Sequence, residues 1–255
     1  MGEVTSISWT DHTFNPWEGC TPVSPGCNHC YAETRDKRHM NGKVSHWGKG
    51  APRRVTSDST WEKPLQWNRA AAKAGRRDKV FCGSLCDIMD DEAPEGQLER
   101  LLALIDETPH LIWQLLTKRP HRYLRRLPAA FRHQNVWLGA SAENQQYYDV
   151  RWPILRAAAE RYHTISFISY EPALGPLTLL GFSSFPDWVI CGGETGPHFR
   201  PMEQQWAESL RDECQQLGVR FWMKQVNGRR PKEAAALIPV ELLIRQFPKD
   251  RVNRN

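Results

Sequence analysis

Short apolar runs alternate with polar clusters along most of the chain. Six of these runs read as buried strands: Val80 to Cys82, Ile112 to Leu116, Val136 to Leu138, Ile165 to Ile168, Trp188 to Ile190 and Phe221 to Met223. Each is too short for a helix, is rich in β-branched or aromatic residues, and is followed by polar residues. A further short strand near Ile7 to Trp9 brings the count to seven. Helical patterns lie between the runs. Over 95–107, Leu98, Leu101, Leu102 and Ile105 keep an i, i+3, i+4, i+7 spacing after Pro94 in the first turn. Over 203–217, Trp206, Leu210 and Leu217 share one face, and Gly218 supplies the stop. Strands alternating with helices predict an α/β fold with a parallel sheet. The expected architecture from this pattern is a closed or nearly closed parallel (β/α) barrel of six to seven strands. A doubly wound open sheet is the alternative, because periodicity does not fix strand order.

In either architecture, chemistry gathers beyond the carboxyl ends of the strands. The residues there have functional character: Gly83-Ser84-Leu85-Cys86-Asp87, Thr117-Lys118-Arg119, Ser141-Ala142-Glu143-Asn144, Tyr170-Glu171-Pro172, Gly192-Gly193-Glu194 and Lys224-Gln225. The opposite ends, at Asp78-Lys79, His110, Asn135 and Gly218, are bland by comparison.

Composition narrows the picture. With 255 residues, 40% hydrophobic and 25% charged, the chain suits one barrel domain over 1–255 and excludes wholesale disorder. No apolar stretch is long enough for a membrane span, and the amino terminus lacks a basic segment followed by an apolar one, so a cytoplasmic protein with no membrane partner is expected. The net charge of +5 is unevenly placed: residues 35–79 hold 13 Lys and Arg against 4 Asp and Glu, a local +9 that leaves −4 elsewhere. With Trp47, Trp61 and Trp67 interleaved, this basic insertion would pair cations with phosphates and stack indoles on bases of a nucleic acid. The alternative is a solvated excursion whose tryptophans anchor it to the core.

Seven cysteines is an odd number, and Cys20, Cys27 and Cys30 crowd into an eleven-residue span. That pattern fits metal binding in a reducing compartment better than a disulfide framework. Cys82, Cys86, Cys191 and Cys214 are scattered and read as buried small hydrophobes. Cys27 and Cys30 can present both sulfurs to one centre from a tight turn, and Cys20 returns across a loop containing Pro22, Pro25 and Gly26. Three thiolates on a 4Fe–4S cluster leave one iron without a protein ligand. In radical S-adenosylmethionine chemistry that iron binds the methionyl amine and carboxylate of the cofactor, and an electron from the cluster yields a 5′-deoxyadenosyl radical. A zinc site with His29 or His12 as fourth ligand is the competing reading. Against it, His29 lies between two of the cysteines, and no second Cys-x-x-Cys or His pair follows at finger-like spacing.

At these residues the sequence resembles a known family. Trp9-Thr10-Asp11, Asn15-Pro16-Trp17, Gly19-Cys20-Thr21, Val23 to Cys27 and His29-Cys30-Tyr31-Ala32-Glu33 are similar to the three-cysteine signature of the phage Gp37/Gp68 family, also known as a domain of unknown function. The likeness continues through Ser84 to Asp87 with Pro94, Leu116 to Pro120, Val136 to Gly139 with Ser141 and Glu143 to Gln145, Glu171-Pro172, Leu174 to Pro176, Gly192 to Pro197, Arg200 to Met202, and Lys224-Gln225. It implies a partial barrel of the radical S-adenosylmethionine type, similar in class to spore photoproduct lyase, with an iron–sulfur cluster, the cofactor and an electron donor. Two departures stand out. Six residues separate the first two cysteines where the common radical motif has three, and the carboxyl-terminal extension 231–255 follows the family pattern poorly.

Position after the strands assigns candidate roles. Gly83 and Ser84 would offer backbone groups to the methionyl amine, with Asp87 beside them, and Lys118 would neutralise the carboxylate. Glu143 and Asn144 would bind ribose hydroxyls. His29 and Tyr31 would cover the cluster or the adenine. Glu171, Gly193, Glu194 and Lys224 are the substrate or catalytic candidates. The plain alternatives are a tight turn at Gly83, an ion pair of Lys118 with Asp87 or Glu143, and aromatic packing of the cysteine loop. Three functions follow: a radical enzyme that modifies or repairs a nucleic-acid base, the same chemistry on a small molecule or peptide, and a non-catalytic zinc-stabilised nucleic-acid-binding module.

Overall fold

All six apolar runs fold as strands. A computed structural model describes residues 5–40, 45–131 and 133–249. Residues 41–44 of the basic segment and 250–255 of the expected extension lie outside the described residues. The strands are β1 (His12–Phe14), β2 (Trp17–Glu18), β3 (Arg54–Val55), β4 (Asp78–Cys82), β5 (Leu111–Thr117), β6 (Val136–Ser141), β7 (Ile165–Tyr170), β8 (Trp188–Gly192) and β9 (Arg220–Gln225). The helices are α1 (Tyr31–Met40), α2 (Asp58–Trp61), α3 (Lys63–Lys73), α4 (Gln97–Asp106), α5 (Tyr123–Arg126), α6 (Gln145–Tyr162), α7 (Gln204–Leu217) and α8 (Pro231–Ala236). Seven strands form one sheet in the order β1-β4-β5-β6-β7-β8-β9. The pairs β1–β4, β4–β5, β7–β8 and β8–β9 run parallel. Each main strand thus lies beside the next main strand in sequence, as right-handed βαβ connections favour.

The chain divides into two compact units, Met1–Ser24 with Cys30–Trp137, and Pro25–His29 with Leu138–Asn255. In the first, β4 pairs with β1 through Val80 opposite His12 and with β5 through Val80 opposite Trp113. Val80, Cys82, Leu111, Trp113 and Leu115 are fully buried, and Phe14 meets Trp61 and Trp113 edge-on at 5.1 and 5.6 Å. Trp67 stacks flat on His12 at 4.3 Å. The tryptophans of the basic segment, Trp47, Trp61 and Trp67, are all buried, so they anchor that segment and leave its exposed cations to face solvent. The early strand lies at His12–Phe14, not at Ile7 to Trp9. Trp9 is buried from a turn, packed on Phe81, and needs no strand to reach the core.

In the second unit every residue of β7 and β8 is buried. Strands covered on both faces carry continuous apolar sequence, which is why these runs do not alternate. Removing each large side chain from water contributes about 1.5–3 kcal/mol. On α7, Ala207, Leu210 and Cys214 form the buried face and Gly218 ends the helix in the left-handed region. Beyond α8, the chain returns along β9: Met223 N–H donates to the Ile244 carbonyl at 2.9 Å and Gln246 N–H to that of Phe221 at 3.0 Å. Trp222 and Arg245 form an antiparallel bridge there.

Candidate metal and cofactor site

The cysteine segment follows β1 directly. Cys20 pairs with Trp47 in a parallel bridge, Gly19 with Cys86 in another, and Gly48 N–H donates to the Cys20 carbonyl at 3.0 Å. Asn15, just after β1, accepts from Leu85 N–H at 2.6 Å and donates to Ser84 Oγ at 3.0 Å, tying the loop after β4 to the loop after β1. Cys27 ends a short 3-10 turn (Pro25–Cys27), and Cys30 immediately precedes α1. Cys20 and Cys30 belong to the first unit and Cys27 to the second.

Around Cys20 the first unit builds a buried ionic network. Asp87 accepts four hydrogen bonds: Oδ1 from Thr117 Oγ1 at 2.6 Å and Met89 N at 2.9 Å, and Oδ2 from Lys118 N at 3.1 Å and Arg119 Nη1 at 2.9 Å. Arg119 Nη1 also lies 3.8 Å from the Cys20 sulfur, and Nη2 donates to the Thr21 carbonyl at 2.7 Å. Arg53 joins Asp90 at 2.8 Å, Glu92 at 2.9 Å and Thr21 Oγ1 at 2.6 Å. Burial pushes the Cys20 thiol far up, Asp87 adds to that, and the Arg119 guanidinium opposes it. One layer further out, Asp36 of α1 holds His46 through Nδ1 at 2.7 Å and through its backbone N–H at 3.0 Å. Burial works against the Asp36 carboxylate, yet the His46 bonds hold it below the ordinary range.

The second unit grips Pro25–His29 with a different network. His29 Nδ1 lies 2.9 Å from Glu194 Oε2, and Arg200 donates to the same carboxylate through its backbone N–H at 2.8 Å and through Nε at 3.0 Å. Arg200 Nη1 reaches the Pro25 carbonyl at 2.9 Å. Gly26 packs so closely on Glu143 that a Cβ there would stand 2.5 Å from Oε1. Glu143 is fully buried and pairs with Arg151 at 2.9 Å, and Arg151 also donates to the Ser141 carbonyl at 2.8 Å.

The remaining sequence candidates lie at the strand ends. Tyr31 donates from its hydroxyl to the Ser84 carbonyl. Asn144 caps α6, accepting from Tyr147 N–H at 3.3 Å. Lys224 meets Glu171 at 2.6 Å, and Ser169 donates to Glu171 at 3.1 Å. Gly193 N–H donates to the Gln225 carbonyl at 3.0 Å, and Gln225 Nε2 returns a bond to the Gly193 carbonyl at 3.0 Å. Of the candidates, the first unit therefore gathers Cys20, Cys30, Tyr31, Gly83, Ser84, Asp87 and Lys118. The second gathers Cys27, His29, Glu143, Asn144, Glu171, Gly193, Glu194 and Lys224. Sequence reasoning missed Arg53 and Arg151, and named Arg119 and Arg200 only within motifs without a role; these four arginines partner its acidic candidates or their neighbours.

The donor set suits an iron–sulfur cluster: three part-buried thiols, none in a disulfide, stand on one segment of chain, with a guanidinium facing the first. Among the described residues no three His, Cys, Asp or Glu side chains converge as a ligand set, so the fit rests on donor chemistry. Among the described residues, too, no helix is long and apolar enough to cross a membrane.

No curated protein matches the chain by sequence. Residues 4–251 match the family described as "Protein of unknown function (DUF5131)". Among solved structures, a spore photoproduct lyase variant with bound AdoMet and dinucleoside spore photoproduct is similar at a TM-score of 0.52 and 14% identity, over 100% of this chain and 66% of that one. A second variant, with dinucleoside spore photoproduct, gives 0.51 and 14%, over 85% and 53%. A third structure, complexed with the same dinucleoside, gives 0.51 and 11%, over 88% and 78%. The chain spans less than two thirds of the length of the first two. At these identities the likeness shows the fold, the partial parallel (β/α) barrel that the family resemblance implied.

Proposed function

We propose that this chain, which belongs to the DUF5131 family of proteins of unknown function, is a radical S-adenosylmethionine enzyme that acts on a nucleic-acid base. Cys20, Cys27 and Cys30 would hold a 4Fe–4S cluster. The observation that carries the reading is the set of three cysteines, none in a disulfide, on the segment after β1, in a fold similar to that of spore photoproduct lyases. When bound, the cluster would supply the electron that splits the cofactor sulfonium and so provide a 5′-deoxyadenosyl radical. The resemblance of the three-cysteine block to that of the phage Gp37/Gp68 family supports the same reading.

The chain's own residues do the binding and orienting. Gly83 and Ser84, held by Asn15 and Tyr31, present backbone groups after β4, and Lys118 places a cation after β5 for the methionyl carboxylate. Lys224 and Glu171, 2.6 Å apart at the ends of β9 and β7, form a proton-holding pair for the substrate side. Exposed cations of the basic segment, among them Arg38, Lys49, Arg69 and Lys73, would meet phosphates. An external electron donor is required.

Anaerobic reconstitution with iron and sulfide, followed by dithionite and S-adenosylmethionine, should release 5′-deoxyadenosine. A full cluster without that product overturns the proposal. Filter binding of oligonucleotides tests the substrate class, and binding should weaken steeply as salt rises. One observation favours a second reading. A carboxylate on the Nδ1 of a histidine, as Glu194 holds His29, is the usual support of a metal-ligating imidazole. A colourless protein with one zinc per chain, lost on His29→Ala substitution, would establish that reading instead.

A further inference from the structure

The geometry points to Arg119 as a positioning residue of the metal site, clamped by Asp87 so that its guanidinium faces the Cys20 sulfur and raises the reduction potential of the bound cluster. This inference rests on the cluster reading above.

Arg119 follows β5, its side chain is only 3% exposed, and its two terminal nitrogens divide their work. Nη1 points at Cys20 Sγ, 3.8 Å away, and at Asp87 Oδ2, 2.9 Å away. Nη2 takes the Thr21 carbonyl at 2.7 Å. One guanidinium therefore holds both the first cysteine and the residue after it. Asp87 fixes this orientation, and its four accepted bonds saturate the carboxylate. It is committed to the clamp and has no lone pair to spare for a cofactor.

The charges around Cys20 make the cation consequential. Asp87, Asp90, Asp91 and Glu92 gather there against Arg119 and Arg53. Arg119 Nε and Asp90 Oδ1 are buried and make no hydrogen bond, and each meets opposite charge: Nε lies 3.5 Å from Asp91 Oδ2, and Oδ1 lies 3.3 Å from Arg119 Nη2. Removing Arg119 leaves Arg53 and Arg122 as the cations among these four carboxylates. Reduction adds an electron to an already anionic cluster, and N–H groups and positive charge at its sulfurs favour the reduced state. Arg119 therefore raises the potential, and the acidic residues behind it oppose that effect.

The test compares wild type with Arg119→Gln and Arg119→Lys after anaerobic reconstitution. Iron and sulfide content are measured, then the midpoint potential by mediated titration, with the reduced cluster followed by electron paramagnetic resonance. The Gln variant should show a midpoint shifted to more negative potential and altered g-values. The Lys variant, which keeps the charge but cannot span Asp87 and Thr21 together, should shift less in the same direction. A merely structural role would lower iron content without moving the potential of the clusters that remain. Wild-type potential and g-values in the Gln variant overturn the inference and leave the cluster reading intact. Should the Gln variant lose its iron, the Lys variant decides, and an unchanged potential there overturns the inference. A wild-type chain that takes up no iron overturns both.

Discussion

Residues 20–24 and residues 25–29 are consecutive pieces of one short segment, yet opposite charges hold them. In the first piece, guanidiniums do the gripping: Arg119 and Arg53 donate to Thr21, and Arg119 faces the Cys20 sulfur. In the second piece carboxylates take the larger share: Glu194 binds His29 and Glu143 packs under Gly26, with Arg151 behind it, while Arg200 adds one guanidinium bond, to the Pro25 carbonyl. Cations beside a sulfur suit a ligand that must become anionic, whereas a carboxylate on an imidazole fixes the orientation of the ring. Buried ion pairs of this kind contribute little net stability, but removing one partner is costly. Both networks therefore act chiefly to fix where the segment lies.

The comparison can be broken most sharply at the thiols. Serine in place of Cys20 or of Cys27 should abolish iron uptake, whereas serine at Cys214, buried on α7, should leave iron content at the wild-type level by metal analysis. Next in size is Arg151→Ala, which leaves the buried Glu143 carboxylate without its guanidinium. It should cost about 3–5 kcal/mol in urea denaturation. Glu194→Gln should cost about 1.5–3 kcal/mol at neutral pH, the usual worth of charged hydrogen bonds. That variant also has a pH signature. Burial works to raise the Glu194 carboxyl, but the Arg200 and His29 bonds outweigh it and hold the group below the ordinary carboxylate range. Its stabilisation is thus fully present above the unfolded-state value and is lost as pH falls through the lower folded-state value. Melting temperatures should drop with acid in the wild type and show a flatter acid limb in the Gln variant. The smallest effect expected is from Gly26→Ala, where the new methyl meets Glu143, at about 1–3 kcal/mol. Should it instead leave both stability and iron content unchanged, the close fit of Pro25–His29 matters less than the ionic grip.

Much of the fold was legible because it is written locally. The runs from Val80 to Met223 announce β4 to β9 by length and residue type. β1 escaped because His12–Phe14 has one apolar side chain and owes its place to pairing with Val80, Phe81 and Cys82 far along the chain. On α4 the buried set includes Leu104, with Leu102 only half-buried, a rotation that only the packed core reveals. α6 was hidden by Pro153 in its interior. The site divides in the same way. The cysteines and polar strand ends are local signals, but the pairing of Arg119 with Asp87 spans 32 residues and leaves no mark in the spacing. One signal was available. Tyr148, Arg151, Trp152 and Leu155 follow the i, i+3, i+4, i+7 stripe of α6, and an arginine on an apolar stripe marks a buried carboxylate to be met.

The chain that returns past α8 to lie along β9 has a consequence for how copies of this protein meet. β9 is the last strand of the sheet, and a terminal strand offers a row of amide and carbonyl groups to any extended peptide that arrives. Here Ile244 and Gln246 occupy that row from within the molecule. An extended peptide that arrives at β9, from a second copy or from another protein, therefore finds these positions already bonded.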